Sequence, residues 1–244
     1  MTTPNPIIIT LATKNTGKQR ELEQSLKTMQ DQGRLAHLIQ LVCNPKAPDV
    51  AETGKTFIEN ALLKARQTPP VQGSDWVLAE DSGLVVEALD GTEGISPFPG
   101  IFSNRWLTPA RRNELLGWHY NNLTPQDRTS DDGITNTDLM MGILKLMENH
   151  SNRAARYCCG MVLYHPQTQR HHEVFESTVL RVSTEQPRGT SGFGYDPIMH
   201  AVREDGSVCA QTMAEISMAE KNELSHRGKA FQQIIQGLQK IVGQ

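Results

Sequence analysis

The stretch Leu78-Ala79-Glu80-Asp81-Ser82-Gly83-Leu84-Val85-Val86 places two adjacent carboxylates between two apolar runs. We interpret the apolar runs as buried strands and the Ser82-Gly83 pair as the tight reversal between them. In that arrangement Glu80 and Asp81 lie at a strand end, where α/β proteins tend to bind their substrates. Adjacent carboxylates repel each other unless a cation lies beside them, and divalent metals such as Mg²⁺ prefer oxygen ligands. An acidic β-turn without a ligand is the alternative, and this stretch taken alone favours it.

The composition predicts a folded cytoplasmic protein. The 244 residues suffice for one large domain or for two lobes that share a cleft, and 37% of them are hydrophobic. A formal net charge of −3 argues against a general binder of nucleic acid or membranes, which needs a basic face. The cysteines lack metal-ligand spacing, and no apolar run reaches the ~18 residues of a membrane span. We also find no signal peptide at the start of the chain.

The first predicted strand, residues 7–12, is followed by the loop Thr13-Lys14-Asn15-Thr16-Gly17-Lys18 and then by a helix. A loop between a strand and a helix N-terminus presents backbone N–H groups and a positive dipole end to an anion. Lys14 and Lys18 add positive charge there. The loop is not a Walker A motif, because its first glycine is absent and Gln19 replaces the Ser or Thr. A phosphate site and an ordinary loop with surface lysines have equal support here.

Periodicity predicts the other elements. We expect a strand at 38–43, an amphipathic helix at 57–66, a helix at 109–118, a helix around 139–147, a hairpin of strands at 154–164 and 173–182, and a closing helix after residue 228. Glu59 and Asn60 leave the apolar stripe of the second helix, so either is interpreted as solvated surface. Residues 121–135 are polar and rich in turn formers.

A second unusual stretch is Arg188-Gly189-Thr190-Ser191-Gly192-Phe193-Gly194-Tyr195-Asp196-Pro197. Its glycines let the backbone approach a ligand closely, and its two aromatic rings can stack on a base. The alternative is a glycine-rich turn whose aromatic residues fill the core. With the candidate carboxylates and the cations Lys14, Lys18, Lys64, Lys221 and Arg227, the loop completes the groups that bind a nucleoside triphosphate.

Six sequence blocks, in order along the chain, carry a family resemblance. They are Thr13 to Lys18, Glu52-Thr53-Gly54 with Phe57 to Ala61, Glu80 to Leu84, Pro99 to Trp106, Gly192 to Pro197, and Glu220-Lys221 through Ser225 to Gly228. This pattern resembles the inosine triphosphate pyrophosphatase family, also called XTP/dITP diphosphatases. The blocks extend from the first strand to the last helix, so the resemblance covers nearly the whole chain.

The resemblance implies an α/β fold in which a long mixed central β-sheet is flanked by helices, with two lobes and the active site in the cleft between them. Residues 1–244 would form a single domain of this kind, and two copies would form a homodimer. It further implies Mg²⁺-dependent hydrolysis of ITP, dITP or XTP to the nucleoside monophosphate and pyrophosphate. This reaction removes deaminated purines from the nucleotide pool.

The resemblance also implies residue roles. Asp81 matches the catalytic position, where it takes a proton from the attacking water and contacts Mg²⁺, with Glu52 and Glu80 as further candidate metal ligands. The matched substrate-binding positions are Thr13, Lys14, Asn15, Thr16, Gly17, Lys18, Lys64, Ser82, Phe193, Gly194, Tyr195, Asp196, Lys221, His226 and Arg227. A donor such as Arg227, or a backbone N–H, would recognise the oxygen at C6 of the base.

Three stretches depart from the family pattern. They are an apparent insertion at 92–98, the length of 121–135, and Glu176-Ser177-Thr178 where the family commonly has Glu-Gly. These differences bear on the substrate range, the lid and the dimer contact, and none removes a proposed catalytic group. Two alternatives to the implied function are kept. One is a sister nucleotide diphosphatase for another modified nucleotide, and the other is a nucleotide sensor without catalytic activity.

Overall fold

The computed structural model describes residues 6–117 and 133–243. Its strands are β1 (Ile7–Leu11), β2 (Ile39–Cys43), β3 (Ser74–Val86), β4 (Ala154–His165), β5 (Arg170–Val182), β6 (Met199–Val202) and β7 (Val208–Thr212). Its α-helices are α1 (Thr16–Asp31), α2 (Phe57–Gln67), α3 (Pro109–Leu116), α4 (Asn136–Leu146), α5 (Met218–Leu224) and α6 (His226–Val242). Most predicted elements are therefore confirmed, with ends shifted by a few residues. Of the predicted long stretch 121–135, residues 121–132 lie outside the described residues.

The described strands form one mixed, open sheet in the order β2-β1-β3-β4-β5-β6-β7. β1 pairs in parallel with β2 and with β3, whereas β6 pairs antiparallel with β5 and with β7. This arrangement confirms the expected mixed sheet with flanking helices. No helix among the described residues is long and apolar enough to cross a bilayer.

The central acidic stretch is one continuous strand, and the predicted reversal at Ser82-Gly83 is wrong. Residues 74–86 run through this pair as one strand, and Gly83 does not have the positive φ that the glycine of a type I′ hairpin turn takes. Beyond the pair, the Leu84 amide donates to Ser103 Oγ at 2.8 Å, and the strand continues to Val86. Glu80 and Asp81 therefore lie in the interior of β3 rather than at its end.

The chain divides into two compact units. The first contains Met1–Ser82, Cys158–Ser177 and Met218–Gln244, and the second contains Gly83–Tyr157 and Thr178–Ser217.

Helices cover both faces of the sheet in the first unit. On one face, α1 and α6 pack on β1, β3 and β4 through a cluster that includes Leu22, Leu78, Met161 and Phe231. On the other face, α2 packs through a smaller cluster that includes Ala61. Because successive side chains of a strand point to opposite faces, each face receives alternate residues of β3.

In the second unit, the buried Trp106 is central to the packing. Its ring makes an edge-on contact with Phe98 at a centroid distance of 5.1 Å. Gly142 of α4 lies so close that a Cβ there would be 2.8 Å from the Trp106 ring. The absence of a side chain at Gly142 thus allows α4 to pack against the indole.

Candidate active site

The alternation of β3 separates the two adjacent carboxylates. Glu80 has the same parity as Leu78 and faces α1 and α6, while Asp81 has the parity of Ala79 and faces α2. Their side chains therefore point to opposite faces of the sheet and have different partners. This geometry reduces the repulsion that the sequence suggested, and each carboxylate also has a cation beside it.

Asp81 lies in a cluster with Lys64, Glu52 and Asn60. The Lys64 ammonium is 3.0 Å from Asp81 Oδ1 and 3.0 Å from Glu52 Oε1, so one cation joins the two carboxylates. Asn60 Nδ2 donates to the other Asp81 oxygen, Oδ2, at 3.1 Å. Both oxygens of Asp81 are thus held by residues of α2.

Burial and the neighbouring charges together set the pKa values of Asp81 and Lys64. Burial raises the pKa of Asp81 above its ordinary value; Lys64 opposes the shift, and the charge of Glu52 adds to it. Burial by itself would lower the pKa of Lys64, but the charges of Asp81 and Glu52 outweigh it and raise that pKa. Lys64 is therefore a permanent cation beside a carboxylate of increased basicity.

Glu80 lies in a second cluster with two cations. Its Oε1 is 2.6 Å from the Lys18 ammonium and 3.5 Å from Arg227 Nε. The Cys159 thiol donates to Oε2 at 3.6 Å. Burial alone would raise the pKa of Glu80, but Lys18 and Arg227 hold it well below its ordinary value. Glu80 therefore stays ionised and is neutralised by two cations.

Glu21 of α1 extends this charge network, and the sequence analysis did not identify it. It is buried, forms an ion pair with Lys221 at 2.6 Å and accepts a hydrogen bond from Arg227 Nη1. Its partners lie about 200 positions away along the chain, so no local pattern could have revealed the contact. Arg227 thus lies between two buried carboxylates, Glu80 and Glu21.

Ser82 and His226 belong to the same side of the sheet as Glu80. Arg227 Nη2 donates to Ser82 Oγ at 2.8 Å. His226 is buried, and burial together with the charge of Arg227 lowers the pKa of its imidazole well below the ordinary value. His226 is therefore neutral at neutral pH.

The predicted phosphate loop connects β1 to α1. Asn15 caps the helix, since its Oδ1 accepts a hydrogen bond from the Lys18 amide at 3.0 Å. Thr13 Oγ1 accepts from the Asn15 amide at 3.1 Å. Lys14 is exposed and forms an ion pair with the exposed Asp49 at 2.7 Å.

Thr16 and Gly17 form the first turn of α1 beside that cap. The first N–H groups of a helix have no partner within the helix and point outward from its end. The structure therefore places all six residues of the predicted loop at one helix N-terminus.

The glycine-aromatic loop belongs to the second unit. Asp196 is buried, and its two oxygens accept hydrogen bonds from the Phe193 amide at 2.8 Å and from the Tyr157 hydroxyl at 3.2 Å. Gly194 has a φ of +64°, in the left-handed region that favours glycine, and a Cβ built there would have no atom within 4 Å. Phe193 is half-buried.

Tyr195 differs from Phe193. It is buried, its hydroxyl accepts a hydrogen bond from Trp106 Nε1 at 3.0 Å, and it donates to the Ser103 carbonyl at 2.5 Å. For Tyr195 the core alternative therefore applies, because its ring packs inside the unit.

The model of the Ham1 family matches residues 9–237 of the chain. The chain belongs to the Ham1 family. The resemblance that was based on six sequence blocks is thereby confirmed.

Curated relatives and a solved structure agree with this Ham1 assignment. A protein named dITP/XTP pyrophosphatase from Streptomyces avermitilis is 37% identical over 234 residues, which are 96% of this chain and 98% of the relative. A protein of the same name from Streptomyces coelicolor is 37% identical over 235 residues, again 96% and 98%. The structure of a HAM1 protein from Coxiella burnetii has a TM-score of 0.66 and 29% identity and covers 96% of this chain and 99% of that chain.

The predicted metal ligands of this Ham1 chain do not form a preassembled set. Within residues 6–117 and 133–243, no three His, Cys, Asp or Glu side chains form a group that could hold a metal ion. Glu80 faces the opposite side of the sheet from Asp81 and is already paired with cations. Glu52 and Asp81 remain as two carboxylates around one cation, Lys64. Such a donor set fits Mg²⁺, which proteins often hold by one or two carboxylates, with water and phosphate completing its shell.

The interpretation of Asn60 as solvated surface is wrong. Its side chain is fully buried, whereas the neighbouring Glu59 is exposed. Besides its bond to Asp81, Asn60 accepts a hydrogen bond from the Gly54 amide through Oδ1 at 2.8 Å. The sequence signal was weak, because a polar residue off the apolar stripe of a helix is usually on the surface.

Proposed function

We propose that this Ham1 chain hydrolyses dITP, ITP and XTP to the nucleoside monophosphate and pyrophosphate and so removes deaminated purine nucleotides from the pool. The names of its relatives, matched over almost their whole length, support the substrate class. The observation that carries the chemistry is the cluster of Asp81, Lys64 and Glu52, in which the buried Asp81 shares one ammonium group with the half-buried Glu52.

Asp81 acts as the general base in this proposal. A carboxylate has about four lone-pair positions, and Lys64 and Asn60 each take one on a different oxygen. Each oxygen therefore keeps a lone pair for a proton of the attacking water. Burial raises the pKa of Asp81 in the metal-free cluster, and a Mg²⁺ ion on one oxygen would oppose that shift while leaving the other oxygen to accept the proton.

Lysine side chains stabilise the departing pyrophosphate. Lys18 is held in place by Glu80, and the N-terminus of α1 beside it provides backbone N–H groups. The negative charge that develops on the leaving oxygens is stabilised without rearrangement by charges that are already fixed. Lys14 joins them if the phosphates displace Asp49, its exposed partner.

We propose Mg²⁺ as the cofactor, held by Glu52 and Asp81. When bound, it would polarise the phosphates and lower the charge on the triphosphate. Lys64 keeps the two carboxylates together before the ion arrives, since its ammonium contacts both.

Phe193 is proposed to stack on the base, in agreement with the family resemblance. It is half-buried in the second unit, and the bond from its amide to Asp196 fixes the loop. Arg227 is less suited to recognise the oxygen at C6, because its guanidinium already contacts Glu21, Glu80 and Ser82. We therefore favour a backbone N–H as the donor to that oxygen.

The test is a product assay with ITP, XTP, GTP and ATP in the presence of Mg²⁺. We expect IMP and pyrophosphate from ITP, and weaker turnover of ATP. IDP and orthophosphate as products would overturn the proposal, and so would a strong preference for another modified nucleotide. Tight binding of ITP without any product after long incubation would indicate a sensor instead.

A homodimer and a cytoplasmic location belong to the same proposal. The four cysteines are free thiols, in agreement with a reducing compartment. Phe175 and Val179 lie on one face of β5 and are 55% and 53% exposed, so a partner could cover both side chains together. If this face joins two copies, Phe175→Ser should shift the sedimentation coefficient from that of a dimer toward that of a monomer. A monomeric wild-type protein at micromolar concentration would contradict the dimer.

A further inference from the structure

Asn60 connects the two parts of the carboxylate cluster through a single buried amide. Its Nδ2 donates to Asp81 on β3, and its Oδ1 accepts from the Gly54 amide in the loop that carries Glu52. The side chain is fully buried, so no water competes for either bond. The asparagine side chain suits this position because its amide group carries both an N–H donor and a carbonyl acceptor.

The contact with Gly54 is close. A Cβ at Gly54 would lie 2.7 Å from Asn60 Oδ1 and 2.7 Å from the Cβ of Glu59. The φ of Gly54 is not positive, so glycine is required here for close approach rather than for its backbone conformation. The loop that carries Glu52 is therefore packed directly onto the Asn60 amide.

We propose that Asn60 is a positioning residue that sets the orientation of Asp81 relative to Glu52. The inference rests on the proposed function, since it concerns the carboxylate that accepts the proton. Lys64 alone leaves Asp81 free to rotate about its terminal bond, because it contacts a single oxygen. The second bond, from Asn60 to Oδ2, removes that freedom. Asn60 itself does not touch the reacting atoms in this proposal.

Two substitutions separate positioning from packing. Asn60→Asp keeps the shape and can still accept from Gly54, but it loses the donor to Asp81 and places a negative charge beside it. Asn60→Ala loses both bonds and leaves a small cavity. If Asn60 only supports packing, both variants should lose activity in step with stability and with the fraction of protein that binds the analogue. If it positions Asp81, both should lose kcat while the fraction that binds the analogue stays unchanged, including Asn60→Ala, which adds no charge.

The experiment compares the wild type with these two variants and with Glu59→Gln. Glu59 is exposed, and its carboxylate accepts from the Lys55 amide without contacting Asp81. The measurements are kcat and KM for ITP, the thermal midpoint, and calorimetric binding of an ITP analogue with a non-hydrolysable α,β-imido link. We expect kcat to fall about 100-fold in both Asn60 variants, as small misplacements of a catalytic group can cause. The affinity should stay within about threefold, with stoichiometry unchanged and Glu59→Gln resembling the wild type.

Two outcomes would overturn the positioning role. One is a kcat for Asn60→Asp close to that of the wild type, and the other is a loss of activity that follows the loss of analogue-binding stoichiometry. A wild-type reaction that releases no pyrophosphate would instead overturn the proposed function. Pyrophosphate release by the wild type together with an active Asn60→Asp would overturn the positioning role alone.

Discussion

At the scale of single residues, Glu80 and Asp81 differ because a strand directs them to opposite faces. Glu80 contacts two cations and has a lowered pKa, so it is a weak base. Asp81 contacts one cation, which it shares with Glu52, and its pKa is raised by burial. Two identical functional groups on adjacent residues are therefore suited to different tasks: Glu80 fixes cations, and Asp81 is the proposed proton acceptor.

The first prediction concerns Asp81 itself. Asp81→Asn should lower kcat by about 10²- to 10⁴-fold, the usual contribution of a general base. The near-identical shape should leave the thermal midpoint close to that of the wild type. Asp75→Asn is the matched control, because Asp75 lies exposed on the same strand. A large drop in the thermal midpoint of Asp81→Asn would show that Asp81 has a structural role instead.

The second prediction separates the two remaining carboxylates. Glu52→Gln should raise the Mg²⁺ concentration needed for half-maximal activity, because it removes one of two proposed ligands. Glu80→Gln should leave that concentration unchanged but destabilise the protein, because it leaves Lys18 and Arg227 with less compensation. Magnesium titrations and chemical denaturation of both variants check this. An increased Mg²⁺ requirement in Glu80→Gln would contradict the assignment.

At the scale of secondary-structure elements, apolar periodicity predicted β1, β2, α2 and the β4–β5 hairpin, because burial of apolar faces dominates their formation. β3 was predicted incorrectly at its centre. Ser-Gly is a local turn signal, yet the apolar residues on both sides of it belong to one buried strand. In β3 the burial of the flanking apolar residues therefore outweighs the local turn propensity of Ser82-Gly83.

The same scale explains why part of the site was not predicted. Asp81 is 21 positions from Asn60, and the Gly54 amide is six positions before it. Glu21 and Arg227 are 206 positions apart. A single sequence reports neighbours in the chain and periodic faces, so contacts between distant elements leave no pattern in it. The cations were identifiable because lysine and arginine near turns are conspicuous by type.

The third prediction tests how α2 is anchored to the sheet. A Cβ at Gly160 of β4 would lie 2.6 Å from the Ile58 amide nitrogen and 2.7 Å from the Phe57 carbonyl carbon. Gly160→Ala should therefore push the start of α2 from the sheet and cost about 1–3 kcal/mol of stability or more. Since α2 carries Lys64 and Asn60, kcat should fall as well. Denaturant midpoints and kcat check this.

Arg156→Ala is the control for that substitution, because Arg156 is exposed on the same strand. It should leave both the denaturant midpoint and kcat near the wild-type values. A denaturant midpoint and a kcat of Gly160→Ala close to the wild-type values would contradict this prediction. The close packing of α2 on Gly160 would then be required neither for stability nor for activity.

At the scale of the whole molecule, the net charge of −3 conceals a buried network of opposite charges. In the first unit, Lys18, Arg227 and Lys221 alternate with Glu80 and Glu21. This network lies beside the N-terminus of α1, whose first N–H groups carry a partial positive charge. An acidic protein can in this way offer a locally positive surface to a triphosphate, which the overall composition does not reveal.

The last prediction follows from His226, which is buried in the same network. Its folded-state pKa lies well below the ordinary value of 6.5, because of burial and then the charge of Arg227. The unfolded chain therefore binds a proton that the folded protein does not, as the pH falls through about 6.5. Stability should decrease on acidification from that point, by at most about 1.4 kcal/mol per pH unit for this group. Glu80, with its lowered pKa, adds a loss of the same sign only at lower pH.

Urea denaturation of the wild type and of His226→Gln between pH 8 and pH 5 measures this contribution. A glutamine cannot be protonated, so the variant should lose part of the slope of stability against pH while the remaining groups still titrate. His171→Gln is the matched control, because it makes the same substitution at an exposed position of β5. Equal slopes for the wild type and His226→Gln would mean that the imidazole takes up its proton without unfolding. Its burial beside Arg227 would then impose no penalty on the charged form.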